Sequence, residues 1–354
     1  MTYTPLVSVV VNNYNYGRFL RAALDSALDQ TYPHTEVVVV DDGSTDDSPE
    51  IIVSYGNQVA AVLKENGGQA SALNAGFAVS QGEIVIFLDA DDYLFAHAVE
   101  RVAGAWEPGV AKVQYRLKEI DALGRLLGFH PPHSNTMDSG EVWPILLERG
   151  RYTTSLTSGN GFSRAVLDEI LPIPESEFRI SADGYLVTLA PFYGQVVSIE
   201  EALGAHRVHE SNLWSTPSGS QLDVDRIRTV VRHDLQKQTL VTRKARDLGY
   251  RVSPGLGLRD HTHLTHRLVS YRLDPQKHPV PSDRAQKLVY WGLCSTWRYT
   301  NLNRKKRLIF TMWFVWVGLL PLPLIKGPAA WLLTPRSQPK IVQLTMQKVR
   351  SLLR

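Results

Sequence analysis

Three carboxylates, Asp89, Asp91 and Asp92, follow directly on the apolar run Ile84-Val85-Ile86-Phe87-Leu88. Such a run, rich in β-branched residues, is expected to be a strand buried on both faces. The carboxylates then fall where that strand leaves its sheet, and in open α/β sheets ligands collect at the carboxyl ends of strands. Clustered carboxylates repel one another unless a cation lies among them, and hard divalent cations prefer oxygen ligands. Asp-x-Asp alone is also ordinary turn and helix-cap composition. Its place behind a buried strand favours metal chemistry.

Three further polar clusters precede it. Asn12-Asn13-Tyr14-Asn15 follows Leu6–Val11, Asp41-Asp42-Gly43-Ser44 follows Glu36–Val40, and Asn66-Gly67-Gly68-Gln69 follows Val59–Leu63. Each by itself is what turns are made of. Together they carry acids and amides, with no glycine-rich phosphate cradle and neither a G-x-G-x-x-G nor a Walker sequence. Dinucleotide and P-loop chemistry are therefore disfavoured, and the set suits a polyhydroxylated nucleotide ligand.

The elements that must position these clusters are legible from periodicity. Phe19, Leu20, Ala23, Leu24, Ala27 and Leu28 lie at helical spacing, and Tyr32-Pro33 stops the helix. A second helix is expected over Ser71–Val79. Strands alternating with helices predict an α/β fold with a mostly parallel sheet and right-handed crossovers, so that all four clusters share one edge. Beyond it the sequence predicts a helix at Phe95–Ala105, a hairpin of Ala111–Ile120 with Arg125–Gly128, a helix at Trp143–Glu148, a strand at Gln195–Ile199 and a long helix at Leu222–Leu248. Thr157–Phe162, small and polar, is expected to be a loop suited to close approach by a sugar.

The 354 residues exceed the usual size of one core, which predicts a large domain with an extension. We expect a catalytic domain at 1–215, a helical extension at 216–303 and a tail at 304–354. The single cysteine, Cys294, excludes an intramolecular disulfide framework. Met1-Thr2-Tyr3-Thr4-Pro5 runs straight into the first strand, so no secretory signal is expected.

Val7-Ser8-Val9-Val10-Val11-Asn12-Asn13-Tyr14-Asn15, Val39-Val40-Asp41-Asp42-Gly43-Ser44, Asn66-Gly67-Gly68-Gln69 and Leu88-Asp89-Ala90-Asp91-Asp92 together resemble the family 2 glycosyltransferases of GT-A fold. The match in order and spacing runs through roughly the first two hundred residues, and the set is far more specific than any one member. The resemblance implies inverting transfer from a nucleotide-activated sugar, usually a UDP-sugar, with Mg²⁺ or Mn²⁺. It implies that Asn12 and Tyr14 flank the base and ribose, that Asp41 or Asp42 reads the uracil edge, and that Gln69 approaches the nucleotide. Asp89 would sit near the ribose and Asp91 would hold the metal. Asp183, at the right distance and entering a helix, matches the family's catalytic base; locally, Ser181 or Asp183 is also a plausible helix cap. Glu175 and Glu177 are the fallbacks. An Arg-x-His stretch closing over the diphosphate implicates Arg207, with His209 completing the metal shell and His206 ranked below them. Two departures stand out: Leu73 replaces an arginine common in the family, and Ala182 an acid often found before the base. A non-catalytic nucleotide-sugar-binding homologue and a sugar-1-phosphate nucleotidyltransferase are the rival readings.

The net charge of +3 conceals an asymmetry. From Arg284 to the end there are 13 basic residues and no acid, leaving 25 basic against 35 acidic residues before it. Because this basic stretch is also strongly apolar, an anionic membrane face is expected rather than nucleic acid. Arg304-Lys305-Lys306-Arg307 introduces 18 uncharged residues, Leu308–Ile325, interrupted by Gly318, Pro321 and Pro323. With Trp313, Trp316 and Trp331 nearby, attachment at the interface is expected ahead of a true span. Ile341 onward resembles a basic amphipathic helix. His261, His263 and His266 are expected on a solvated helix face rather than on a metal. These features place the enzyme at the cytoplasmic face of the membrane, with a glycan or lipid-linked acceptor for cell-surface polysaccharide.

Overall fold

The structure is a computed structural model that describes residues 4–210, 212, 222–300 and 302–333. The amphipathic helix expected from Ile341 onward lies outside the described residues. The chain forms two compact units, one of 1–146 with 152–208 and the other of 147–151 with 209 onward.

In the first unit, β1 (Val7–Asn13), α1 (Gly17–Leu28), β2 (Thr35–Asp41), α2 (Ser48–Ser54), β3 (Ala60–Leu63), α3 (Gln69–Val79) and β4 (Ile84–Asp89) alternate as the sequence predicts, with α2 added. The strands run parallel in the order β3-β2-β1-β4, which puts the four polar clusters on one edge. Register then pairs chemistry with chemistry: Asn12 faces Asp89 and Asn13 faces Asp41. Ile84 to Leu88 are wholly buried, as are Val9, Val11, Leu20 and Leu24. Each such side chain contributes about 1.5–3 kcal/mol on leaving water.

The sheet continues through β5 (Tyr93–Leu94), β6 (Val110–Asp121), β7 (Leu126–His130), β8 (Asn160–Ser163) and β9 (Gln195–Val208), interleaved with α4 (Ala98–Gly104), α5 (Trp143–Arg149), α6 (Arg164–Ile170) and α7 (Asp183–Leu189). The full order is β3-β2-β1-β4-β8-β6-β9-β5, with β7 on β6. β8 corrects the loop expected at Thr157–Phe162: it runs antiparallel to both β4 and β6. At Gly161 a Cβ would come within 3.1 Å of a Val102 methyl, so the glycine lets α4 pack closely on β8. The helix expected from Phe95 starts at Ala98 instead, because Tyr93–Leu94 pairs with β9 and the Phe95 N–H bonds to the Leu203 carbonyl.

The second unit contains α8 (Val224–Asp247), α9 (His261–Leu273), α10 (Ala285–Arg298), α11 (Arg304–Leu319) and α12 (Leu322–Leu333). Leu264, Leu268, Leu288, Phe314 and Val317 share one core, so the tail expected to be separate from 304 joins the helical extension. The three histidines of α9 diverge, but not onto a solvated face. His263 is buried with Nδ1 3.1 Å from Asp234 Oδ2, His266 Nδ1 lies 2.8 Å from the Thr262 carbonyl, and His261 stands edge-on to Phe310. Ser270, His278 and Asp283 form a row at 2.9 and 3.0 Å, with Arg267 bidentate on Asp283. All three are buried, which makes the row a pin between α9 and α10 rather than an accessible nucleophile.

Pro321 ends the apolar run at α11, and Arg272 donates to the freed Gly318 and Leu320 carbonyls. Trp313 Nε1 then bonds to the Pro328 carbonyl and Trp316 Nε1 to that of Leu324. The pairs converge toward the turn, so α12 folds back along α11. No helix among the described residues is long and apolar enough to cross a membrane.

Candidate active site

The corner where β1 and β4 end is built by register. Asn12 Nδ2 donates to Asp89 Oδ1 at 2.9 Å, and Gln69 Nε2 approaches the same oxygen at 3.4 Å. Asn12 Oδ1 is buried without a hydrogen-bond partner, an unmet acceptor at this corner. Asp41 takes Asn13 Nδ2 at 2.7 Å, the Ser44 hydroxyl at 2.6 Å and the Ser44 N–H at 2.9 Å. Asp42 takes Lys64 Nζ at 2.8 Å and the N–H groups of Gly67 and Gly68 at 3.0 and 2.7 Å. Both carboxylates are buried and brace the loops that form one wall, and Tyr14 is exposed beside them.

Asp91 and Asp92 are buried where the chain turns out of β4. Asp92 is the anchor of this turn. Its carboxylate accepts from Ser158 Oγ (2.7 Å), the Arg207 N–H (2.8 Å) and His206 Nδ1 (3.1 Å). Ser158 Oγ in turn accepts the Asp89 N–H at 3.1 Å. Arg207 donates from Nε to the Asp91 carbonyl at 3.0 Å, and its guanidinium lies 4.7 Å over the Phe19 ring. It therefore fixes the backbone of Asp91 from beneath. His209 belongs to the second unit, where it is buried and its N–H bonds to Asn212.

Asp183 is the first residue of α7, and the N-cap position before it is taken by Ala182, which makes no side-chain capping bond. The segment before it is stitched to the Asn66–Gln69 loop. Arg179 donates to Asn66 Oδ1 at 2.6 Å, and its carbonyl accepts the Gln69 N–H at 2.8 Å. Gln69 Oε1 accepts the Ala182 N–H at 3.0 Å, so one side chain joins Asp89 to the residue before Asp183. Ser181 adopts a left-handed conformation, φ 59°, which costs energy for a residue with a Cβ and is typical of functional sites. Gly68, at φ 89°, could carry no Cβ, which would lie 2.5 Å from Arg179. Leu73, where the family often has arginine, is wholly buried in α3, and Asn74 beside it clamps Ile173 through two hydrogen bonds.

The electrostatics follow from this crowding. Burial, then the charges of Asp92 and Asp91, raise the Asp89 carboxyl to about 7 against the Asn12 hydrogen bond; Asp183 adds to the rise. Burial alone would lower the His206 imidazole, but Asp92, with Asp91 and Asp89 beyond, lifts it to about 9. Burial, with Asp91 and Asp89, also raises the Tyr16 phenol. Lys112 is completely buried in β6, bonded to Gln114, Thr154 and Asn160, and burial holds its ammonium well below its ordinary value while Asp183 opposes that fall.

An all-oxygen donor set whose members repel one another fits Mg²⁺ or Mn²⁺. Among the described residues no three His, Cys, Asp or Glu side chains converge enough to enclose an ion. Asp91 would therefore share such an ion with oxygens of a bound phosphate, the usual arrangement for Mg²⁺.

Tyr16 and Lys112 escape sequence reasoning, Asn13 enters it only as a member of its cluster, and His206, ranked below Arg207 and His209, is the one that pairs with Asp92. Ser158 lies in the segment expected to approach a sugar, but its bond to Asp92 depends on β8 lying beside β4. His206 has a faint local signal, since alternation along β9 puts it on the face opposite Ala205. Its ion pair predicts a pH effect. The folded chain keeps the His206 proton to about 9, whereas the unfolded chain releases it near the ordinary value of 6.5. Metal-free stability is thus expected to fall as pH rises through that window, by at most about 3.4 kcal/mol. Thermal unfolding in EDTA measures it, and His206→Asn should flatten the slope.

Comparisons with known proteins agree with this architecture. Residues 8–136 match the family model described as glycosyl transferase family 2. An uncharacterised glycosyltransferase of Nostoc is 34% identical over 212 residues, covering 58% of this chain and 66% of the relative. An uncharacterised glycosyltransferase of Rickettsia typhi is 44% identical over 99 residues, 28% of this chain and 31% of that one. The chain thus spans less than two thirds of the length of these relatives. Among solved structures, TarS residues 1–349 of S. aureus, in complex with UDP-GlcNAc, superposes with a TM-score of 0.51 at 16% identity, covering 92% of this chain and 91% of that one. That likeness is one of fold. The four motifs on one sheet edge thus lie in the stretch of this chain that is similar to glycosyl transferase family 2.

Proposed function

We propose that this chain is a metal-dependent inverting glycosyltransferase. It moves a sugar from a nucleoside-diphosphate donor, UDP in the first instance, to a hydroxyl of a glycan or lipid-linked acceptor for cell-surface polysaccharide. The observation that carries this reading is the Gln69 bridge, which draws the start of α7 to the same corner as Asp89. Asp183 takes the proton of the acceptor hydroxyl as its oxygen bonds to the anomeric carbon. The bond from that carbon to the diphosphate breaks on the opposite face, and the nucleoside diphosphate leaves with the electron pair. Asp91 would hold a divalent cation, which would supply positive charge to offset that of the departing diphosphate. Arg207 and Asp92 keep Asp91 in place, and Asn12 with Gln69 orients Asp89 toward the ribose. The wall braced by Asp41 and Asp42 receives the base against Tyr14.

Isothermal titration with UDP tests the reading. Affinity in Mn²⁺ is expected to exceed that in EDTA by at least about tenfold, or 1.4 kcal/mol. A panel of nucleotide sugars should then yield metal-dependent release of free nucleotide for at least one donor. Metal-indifferent UDP binding with no turnover on any donor would favour a binding protein over an enzyme.

A further inference from the structure

Past its four basic first residues, α11 is apolar all the way round but for Thr311. One side, with Trp313, Phe314 and Val317, is buried in the core of the second unit. The other presents Leu308, Met312, Val315, Trp316 and Leu319, spaced by three and four residues along a single stripe. Met312 is 61% exposed and Leu319 56%. Past the turn at Pro321, Leu322 and Leu324 continue the surface. Trp297 of α10, hydrogen-bonded to Thr311 Oγ1, adds a half-exposed ring. Scattered exposed leucines are ordinary, but a contiguous stripe of this kind marks an interaction surface.

The charge around the stripe indicates what covers it. Arg304 and Lys305 are exposed at the start of α11, and Lys326 is exposed on α12. No acid occurs anywhere from Arg284 to the end of the chain. A protein partner of ordinary composition would not require so one-sided a charge, whereas an anionic bilayer does. Indole rings beside a basic belt suit the headgroup boundary. At 16 residues α11 is about 24 Å long, short of the ~30 Å hydrocarbon core, so it fits lying in the interface rather than across it.

We propose that the α11–α12 hairpin docks the protein on an anionic lipid surface. The exposed stripe enters the acyl boundary, and Arg304, Lys305 and Lys326 pair with lipid phosphates. This inference is independent of the catalytic reading, because it is read by lipid binding and not by sugar transfer.

Co-sedimentation of the full chain with phosphatidylcholine vesicles, with and without phosphatidylglycerol, tests it. Binding is expected to the mixed vesicles and to weaken with salt. M312E/L319E changes only exposed positions and should lose at least about tenfold in partitioning, as should K305E/K326E on the anionic vesicles. Unchanged far-UV dichroism and an unchanged melting temperature certify the fold. Equal partitioning of M312E/L319E and wild type would overturn the proposal. So would a wild-type dimer that ignores vesicles and becomes a monomer in M312E/L319E, since that assigns the stripe to a second copy.

Discussion

Asp183→Asn is expected to reduce sugar transfer by about 10²- to 10⁴-fold while leaving UDP affinity in Mn²⁺ within about threefold of wild type. Asparagine matches aspartate in size, so the first turn of α7 is undisturbed. The Ala182–Gln69 hydrogen bond, which uses the Ala182 backbone N–H, is unchanged by the substitution. What the variant loses is an acceptor for a proton. The loss should therefore appear in kcat with KM little changed, the pattern of an interaction made only in the transition state. Release of free nucleotide under saturating donor and acceptor measures it. A variant that transfers at the normal rate would move the base elsewhere, and Glu175 and Glu177 are the nearest acids along the same segment. Both are exposed, and Asn74 Nδ2 lies 3.4 Å from Glu175 Oε1.

The parallel half of the fold was legible because its signals are local. Buried strands such as Ile84–Leu88 announce themselves by composition, and the clusters behind them fall on one edge through the handedness of crossovers. The second half depends on pairings between distant segments. Asn160–Ser163 has loop composition, yet it is the strand that brings Ser158 to Asp92. Nothing within five residues of Ser158 carries that information. The same limit applies to α11: its apolar residues were evident, but which of them face a core and which face outward was decided by α9 and α10. Arg207 shows the converse. Its motif was visible, but the structure turns its guanidinium to the Asp91 carbonyl and the Phe19 ring, a supporting role that a pattern cannot distinguish from direct contact with a ligand.

Asp91→Asn is expected to weaken UDP binding in Mn²⁺ by about 100-fold and to make what remains indifferent to EDTA. Outer-shell partners of metals alone contribute about 10–100-fold, and a direct ligand should reach at least the upper end. The same substitution should leave the metal-free protein no less stable, because it removes one of the charges that raise Asp89. Loss of affinity with a retained or higher melting temperature separates a lost ligand from a damaged fold. A proton count adds a second reading. With Asp89 raised to about 7, its carboxyl is partly protonated at neutral pH. A cation arriving beside it favours the ionised form, so binding of UDP with Mn²⁺ should release protons and weaken as pH falls below 7. Calorimetry in buffers of different ionisation enthalpy counts those protons, and Asp91→Asn should abolish the release. If wild type releases none, no cation binds among these carboxylates, and their crowding at the end of β4 would need another explanation.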